Sequence, residues 1–240
     1  MNLIRSNTLF VLSVLILFSA CNESKKKQLT SAKNLYYQAN KNNDYVTGLV
    51  ALNEIILLDS TVGAFHDSIS RIYLAQGNYK AALHFGQMVL EKKPDYQKMI
   101  ELVGLSHEAL GNHQNAIDKF ASLYLRTGLL KYQYEIGKIE LSRQNFQGVD
   151  SVMQMIVSDT SGDNSTVDMQ TSSGKVAKIS TIAAANYLQG VLLVEREQKI
   201  NSGAKKMKKA LSIEPNFELA IQYLQEVERY QQMLRYQQRP

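Results

Sequence analysis

Four short turn signals recur along the chain at almost constant intervals: Asn43-Asp44-Tyr45, Gly77-Asn78-Tyr79, Gly111-Asn112-His113 and Gln144-Asn145-Phe146. Counted from their first residues, the intervals are 34, 34 and 33. In the Gly-Asn pairs, glycine accepts the left-handed geometry that ends one helix, and asparagine caps the next. A small residue follows early in each second helix, as Gly48, Ala82 and Ala116, with Val149 in its place in the fourth. The first helices carry Val103-Gly104 and Ile136-Gly137, where glycine lets two helices approach closely. A helix pair of this length has no core of its own, so copies must stack on one another. That requirement predicts an all-α chain of stacked helix–turn–helix repeats. Three prolines and no tryptophan, with 45% hydrophobic and 20% charged residues, suit it.

The stretch from Gly63 to Tyr96 is the most regular copy. It ends one helix at Gly77-Asn78, opens the next at Tyr79, places Ala82 at the helix crossing and closes at Pro94, which cannot continue a helix. These residues resemble the tetratricopeptide (TPR) repeat, a helix–turn–helix unit of about 34 residues. The resemblance implies a TPR-type solenoid of about five repeats plus a C-terminal capping helix. Repeats one to four are assigned to residues 29–157, the first (Leu29 to Val62) being the least regular. Residues 158–178 are rich in Ser, Thr, Asp and Gly and are expected to form a polar inserted loop. A fifth repeat follows over 179–215, with Tyr187, Gly190, Gly203, Met207, Ala210 and Pro215 in register. Residues 216–240 are expected to form the cap, with Phe217, Ala220, Tyr223, Leu224 and Val227 as its apolar stripe.

The N-terminus carries a different signal. Arg5 precedes an apolar run from Leu9 to Phe18, too short to span a bilayer but suited to a signal peptide. The following Ser19-Ala20-Cys21 resembles a bacterial lipobox, in which the cysteine is acylated and becomes the new N-terminus. Cys21 is the chain's only cysteine, so no intrachain disulfide framework exists, and the resemblance assigns it to lipidation. Residues 1–20 are then a lipoprotein signal peptide and residues 21–28 a lipidated tether containing Lys25, Lys26 and Lys27. Asn22 is not the aspartate that commonly retains lipoproteins at the inner membrane, so the resemblance favours the outer membrane, facing the periplasm.

No motif supplies catalytic chemistry. There is no nucleophile elbow, phosphate-cradling loop or dinucleotide fingerprint. His107 and His113 flank a glutamate but are six apart across a turn, unlike a zinc-protease helix, where the histidines are four apart. His66 and His84 lack ligand-like neighbours, and Asp159, Asp163 and Asp168 fail the EF-hand spacing. The expectation is no enzyme activity, no cofactor and no metal. A net charge of +5 with no recognition motif gives no case for nucleic acid. Lys205, Lys206, Lys208 and Lys209 read as a solvated basic face.

In TPR proteins the first helices line a concave groove. The resemblance places Lys33, Tyr37 and Asn40 there from the first repeat, and Asp67, Arg71 and Leu74 from the second. The third gives Lys98, Glu101, Leu105 and Glu108, and the fourth Lys131, Tyr134 and Lys138. The expected function is a membrane-anchored, non-catalytic scaffold that recruits an envelope protein or complex during assembly or secretion. The layout also resembles the five-repeat lipoprotein of the outer-membrane-protein assembly machine, although the early turns Leu58-Asp59-Ser60-Thr61 and Lys92-Lys93-Pro94-Asp95 lack that family's aromatic-Pro motif. A module binding glycan or peptidoglycan fragments is the third reading, and the absence of tryptophan weighs against it.

Overall fold

The computed structural model describes residues 23–59 and 63–237. Cys21 and the signal segment lie outside the described residues. The described chain is helical, in the manner of a TPR solenoid, with one small sheet. Its helices are α1 (23–41), α2 (Tyr45–Leu58), α3 (Gly63–Ala75), α4 (Tyr79–Lys92), α5 (Gln97–Ala109), α6 (His113–Thr127), α7 (Leu130–Ser142) and α8 (Phe146–Val157). Strands β1 (Thr166–Gln170) and β2 (Val176–Ser180) follow, then α9 (Thr181–Glu195), α10 (Ile200–Ile213) and α11 (Glu218–Gln237). The chain divides into two compact units, one up to Leu110 and one from Gly111, so the two helices of the third repeat fall in different units.

A residue with positive φ stands at the turn inside each repeat, and a side-chain cap follows it in the first, second and fourth but not at Asn112 in the third. Asn43, Gly77, Gly111 and Gln144 all have positive φ, between 55° and 73°, and Gln198 joins them at 54° before α10. The next residue then reverses the chain: the N–H groups of Asp44, Asn78 and Asn145 each bond a carbonyl five residues back at 2.9 Å. Their side chains cap the second helix. Asp44 accepts from the Thr47 N–H at 3.1 Å, and Asn78 and Asn145 accept from the Ala81 and Gly148 N–H groups at 3.3 Å. The fifth repeat keeps the left-handed residue but has Lys199 at the cap position, without a side-chain capping bond.

In the N-terminal unit, Ala32 and Tyr36 of α1 pack with Ala51, Leu52 and Ile55 of α2 and Phe65 and Ile69 of α3. A second cluster joins Ala82 and Val89 of α4 to Met99 and Leu102 of α5. Residues 23–28, expected as a tether, belong to α1. The run holds no Gly or Pro, and its lysines are compatible with helix.

The C-terminal unit has one larger core, shared by α7 to α11 and the hairpin. Where the sequence suggested a polar loop over 158–178, β1 and β2 pair antiparallel with Val167 opposite Ile179. Both side chains are buried, while Thr166, Asp168 and Gln170 face water. The alternation is that of a half-buried strand, but it is so short that the surrounding Ser, Thr, Asp and Gly obscure it. In α11 Ala220 and Val227 are buried, as is Phe217 just before it, and Gln222, Gln225, Glu226, Arg229 and Gln232 are exposed.

Candidate partner-binding surface

In the N-terminal unit the first helices α3 and α5 are joined by a three-residue polar network. Asp67 and Arg71 stand four apart on one face of α3, and the Arg71 Nε donates to Asp67 Oδ1 at 2.5 Å. Tyr96, the cap residue just before α5, donates its hydroxyl hydrogen to Asp67 Oδ2 at 2.8 Å and accepts from Arg71 Nη2 at 3.1 Å. The hydrogen bond to Asp67 raises the Tyr96 pKa, because ionising the phenol would place a second negative charge against the carboxylate. The network fixes the Arg71 guanidinium and leaves both Asp67 oxygens engaged.

Arg71 stands at the rim of a cleft of about 510 Å³ that it shares with Leu74, Ala75, Lys98, Glu101, Leu102 and Leu105. Five of the groove residues expected from the sequence, from two successive first helices, therefore meet in one concavity. Its floor is apolar, from Leu74, Leu102 and Leu105, and its rim carries both signs of charge. Asp67 and Tyr96 also line a second cleft of about 660 Å³ with Val89, Lys92, Lys93, Pro94 and Asp95. Tyr96 escaped the sequence reading, since nothing beside it marks it out; its role comes from contact with α3.

The other expected groove residues are distributed as follows. Lys33 lies over the Phe65 ring at 5.8 Å, and the Tyr37 ring, 59% exposed, sits 5.4 Å from Tyr36. Glu108 is half-buried near the end of α5, and Asn40 is exposed. In the C-terminal unit the Lys131 ammonium stands over Tyr132 at 4.6 Å, and Lys138 pairs with Glu135 at 2.6 Å. Tyr134 is a correction. Its side chain is buried in the core with Val149, Met153 and Ala184, and burial pushes its pKa well above the ordinary range. On α7, Leu130 and Tyr134 are four apart and share the face that meets the hairpin and α9, so the ring packs inward.

Two further features bear on chemistry. His66 is 1% exposed, stacks on Phe85 at 5.9 Å, and has an Nε2 with no hydrogen-bond partner. Of the four lysines of α10, Lys206 donates to Gln189 Oε1 at 2.6 Å and Lys208 pairs with Glu228 at 3.0 Å; Lys205 and Lys209 are exposed. Among the described residues no cluster of His, Cys, Asp or Glu is arranged to hold a metal, and no helix is long and apolar enough to cross a membrane.

No protein-family description matches the chain, and no curated protein resembles it in sequence. Solved structures do resemble it in fold. The MamA protein superposes with a TM-score of 0.60 at 13% identity, covering 79% of this chain and 93% of that one. YrrB, described as a TPR protein with an unusual peptide-binding site, gives 0.57 at 15% identity over 86% and 96%. The C-terminal part of a TPR repeat-containing protein from Cytophaga hutchinsonii gives 0.61 at 15% identity over 83% and 70%. At these identities the likeness concerns the fold alone, an all-α solenoid of TPR type.

Proposed function

We propose that this chain is a non-catalytic protein-interaction scaffold of the cell envelope, held by lipid on Cys21 to the outer membrane with its repeats in the periplasm. It recruits an envelope protein or complex during assembly or secretion. The observation that carries the binding reading is the cleft between α3 and α5, where Leu74 and Leu105 offer apolar anchorage between Arg71, Lys98 and Glu101. Apolar anchors ringed by charge suit an extended segment or helix with apolar side chains and charges of both signs. The likeness to YrrB, with its peptide-binding site, supports a peptide-like partner.

The test is photo-crosslinking in native membranes from a reactive residue at Leu105, with and without Lys98→Glu plus Glu101→Lys. Asp67 is left alone, because it bonds both Arg71 and Tyr96 and its loss would confuse binding with folding. One envelope protein captured at Leu105 and lost in the charge-exchanged chain is the expected result. Capture that ignores the exchange removes the cleft from the proposal.

A further inference from the structure

The outer face of α2 has the wrong composition for a solvated helix. Val46, Val50 and Leu57 are 72%, 61% and 86% exposed. Together with Asn53 they stand opposite Gly48, Ala51, Leu52 and Ile55, the buried residues of the helix. A helix that is apolar on both sides is the pattern of one covered on both. The other repeats supply an internal control. Thirty-four residues on, the same positions are Lys80, His84, Gln87 and Glu91, all exposed. In the next repeat they are Gln114, Asp118, Ala121 and Leu125, with one large apolar residue among four. Neither of the two repeats that follow carries the apolar stripe.

What distinguishes the first repeat is its distance from the anchor. The described part of α1 begins at residue 23, and the two residues from Cys21 to it can span at most about 7 Å. A lipid on Cys21 thus keeps the start of α1 at the bilayer surface. The turn at 42–44 folds α2 back along α1, which brings Leu57 to that same end. Lys25, Lys26 and Lys27 are exposed there, Lys27 pairing with Glu23 at 3.7 Å, and a basic run of this kind suits anionic head groups.

We propose that Val46, Val50 and Leu57 rest in the lipid interface, so that the first repeat docks on the bilayer beside its anchor. The inference rests on the lipid-anchor reading given above. A second copy of the chain is the poorer occupant. A helix of 14 residues presents a footprint of about 21 Å by about 10 Å, far short of the roughly 800 Å² per partner of a stable interface. An interfacial helix needs no such area, because the acyl chains supply most of the affinity.

The chain lacks tryptophan, so one introduced indole reports its own surroundings. The full lipidated chain carrying Val50→Trp, and separately Leu57→Trp, is reconstituted in phosphatidylethanolamine–phosphatidylglycerol vesicles. His84→Trp, at the register position of Val50 one repeat later, is the comparison. The expected result is a blue-shifted emission that brominated lipids quench at positions 50 and 57, with neither effect at 84. Vesicles that float with the protein while positions 50 and 57 stay unquenched overturn the inference and leave the anchor standing. A blue shift that rises with protein density without bromolipid quenching also overturns it, in favour of a second copy. A chain that does not float overturns the anchor reading and the inference with it.

Discussion

The Asp163 carboxylate accepts the backbone N–H of Leu130 at 3.3 Å, capping the first turn of α7 from 33 residues further along the chain. Beside it the Ser165 hydroxyl accepts the Lys131 N–H at 3.1 Å, and Ser165 in turn bonds Asp163 and Thr181. Leu129, at the cap position itself, has no side chain able to do this. The segment leading into β1 therefore completes α7, and the anionic oxygen faces the positive end of that helix.

Asp163→Ala is expected to destabilise the protein by about 1 kcal/mol, as the loss of an N-cap does. Chemical denaturation followed by circular dichroism measures it. An unchanged midpoint would mean that water replaces the carboxylate without cost.

Gly190 and Gly203 form the crossing of α9 and α10. A β-carbon on Gly203 would stand 2.8 Å from the Gly190 carbonyl oxygen and press on Val194, whereas one on Gly190 would meet the mobile end of Met207 at 2.7 Å and the Gly203 oxygen at 3.1 Å. Backbone yields less than a methionine tip. Gly203→Ala is expected to cost about 1–3 kcal/mol, and Gly190→Ala less, in the same denaturation measurement.

His66 links stability to acid. Burial chiefly, with Lys92 and His84 nearby, lowers its pKa below the ordinary value. The unfolded chain takes up a proton near about pH 6.5, while folded His66 resists until lower pH, so stability is full above that value and falls as pH drops below it. His66→Leu is expected to flatten the slope of urea midpoint against pH between neutral and mildly acid conditions. An equally steep slope in the variant would assign the effect to other groups.

The C-terminal unit has the opposite liability. Burial raises the pKa of Tyr134, Tyr187 and Tyr223, with Glu195 adding to the last two. These groups contribute no penalty below about pH 10, and stability is lost as pH rises past it, because only the unfolded phenols ionise freely. Tyr134→Phe is expected to reduce the alkaline loss of helical signal. An alkaline transition that does not move would place the ionisation elsewhere.

The repeat boundaries were legible because their causes lie within a few residues. A left-handed residue and an Asx cap make the turns at Gly77-Asn78 and Asn43-Asp44 wherever those residues stand. The turn before α10 carries neither signal, since Gln198 takes the left-handed conformation without glycine and Lys199 follows without a capping side chain. Part of the candidate site was legible too: Arg71, Leu74, Lys98, Glu101 and Leu105 were expected together and line one cleft. Tyr96 was not, because its importance comes from Asp67, 29 residues away. Tyr134 was misplaced for a related reason. Which face of α7 is covered depends on the hairpin and α9, which the repeat pattern does not contain.

By itself, then, the sequence determined the helical repeats, their period and the turns between them, because backbone conformation and capping act over the span of one turn. The tertiary structure decided that Val167 and Ile179 pair across a hairpin, that Asp163 caps a helix it is nowhere near in sequence, that Tyr134 is interior, and that Val46, Val50 and Leu57 are left uncovered. Burial is a property of what lies on the other side of a residue, and that is fixed only when distant segments meet.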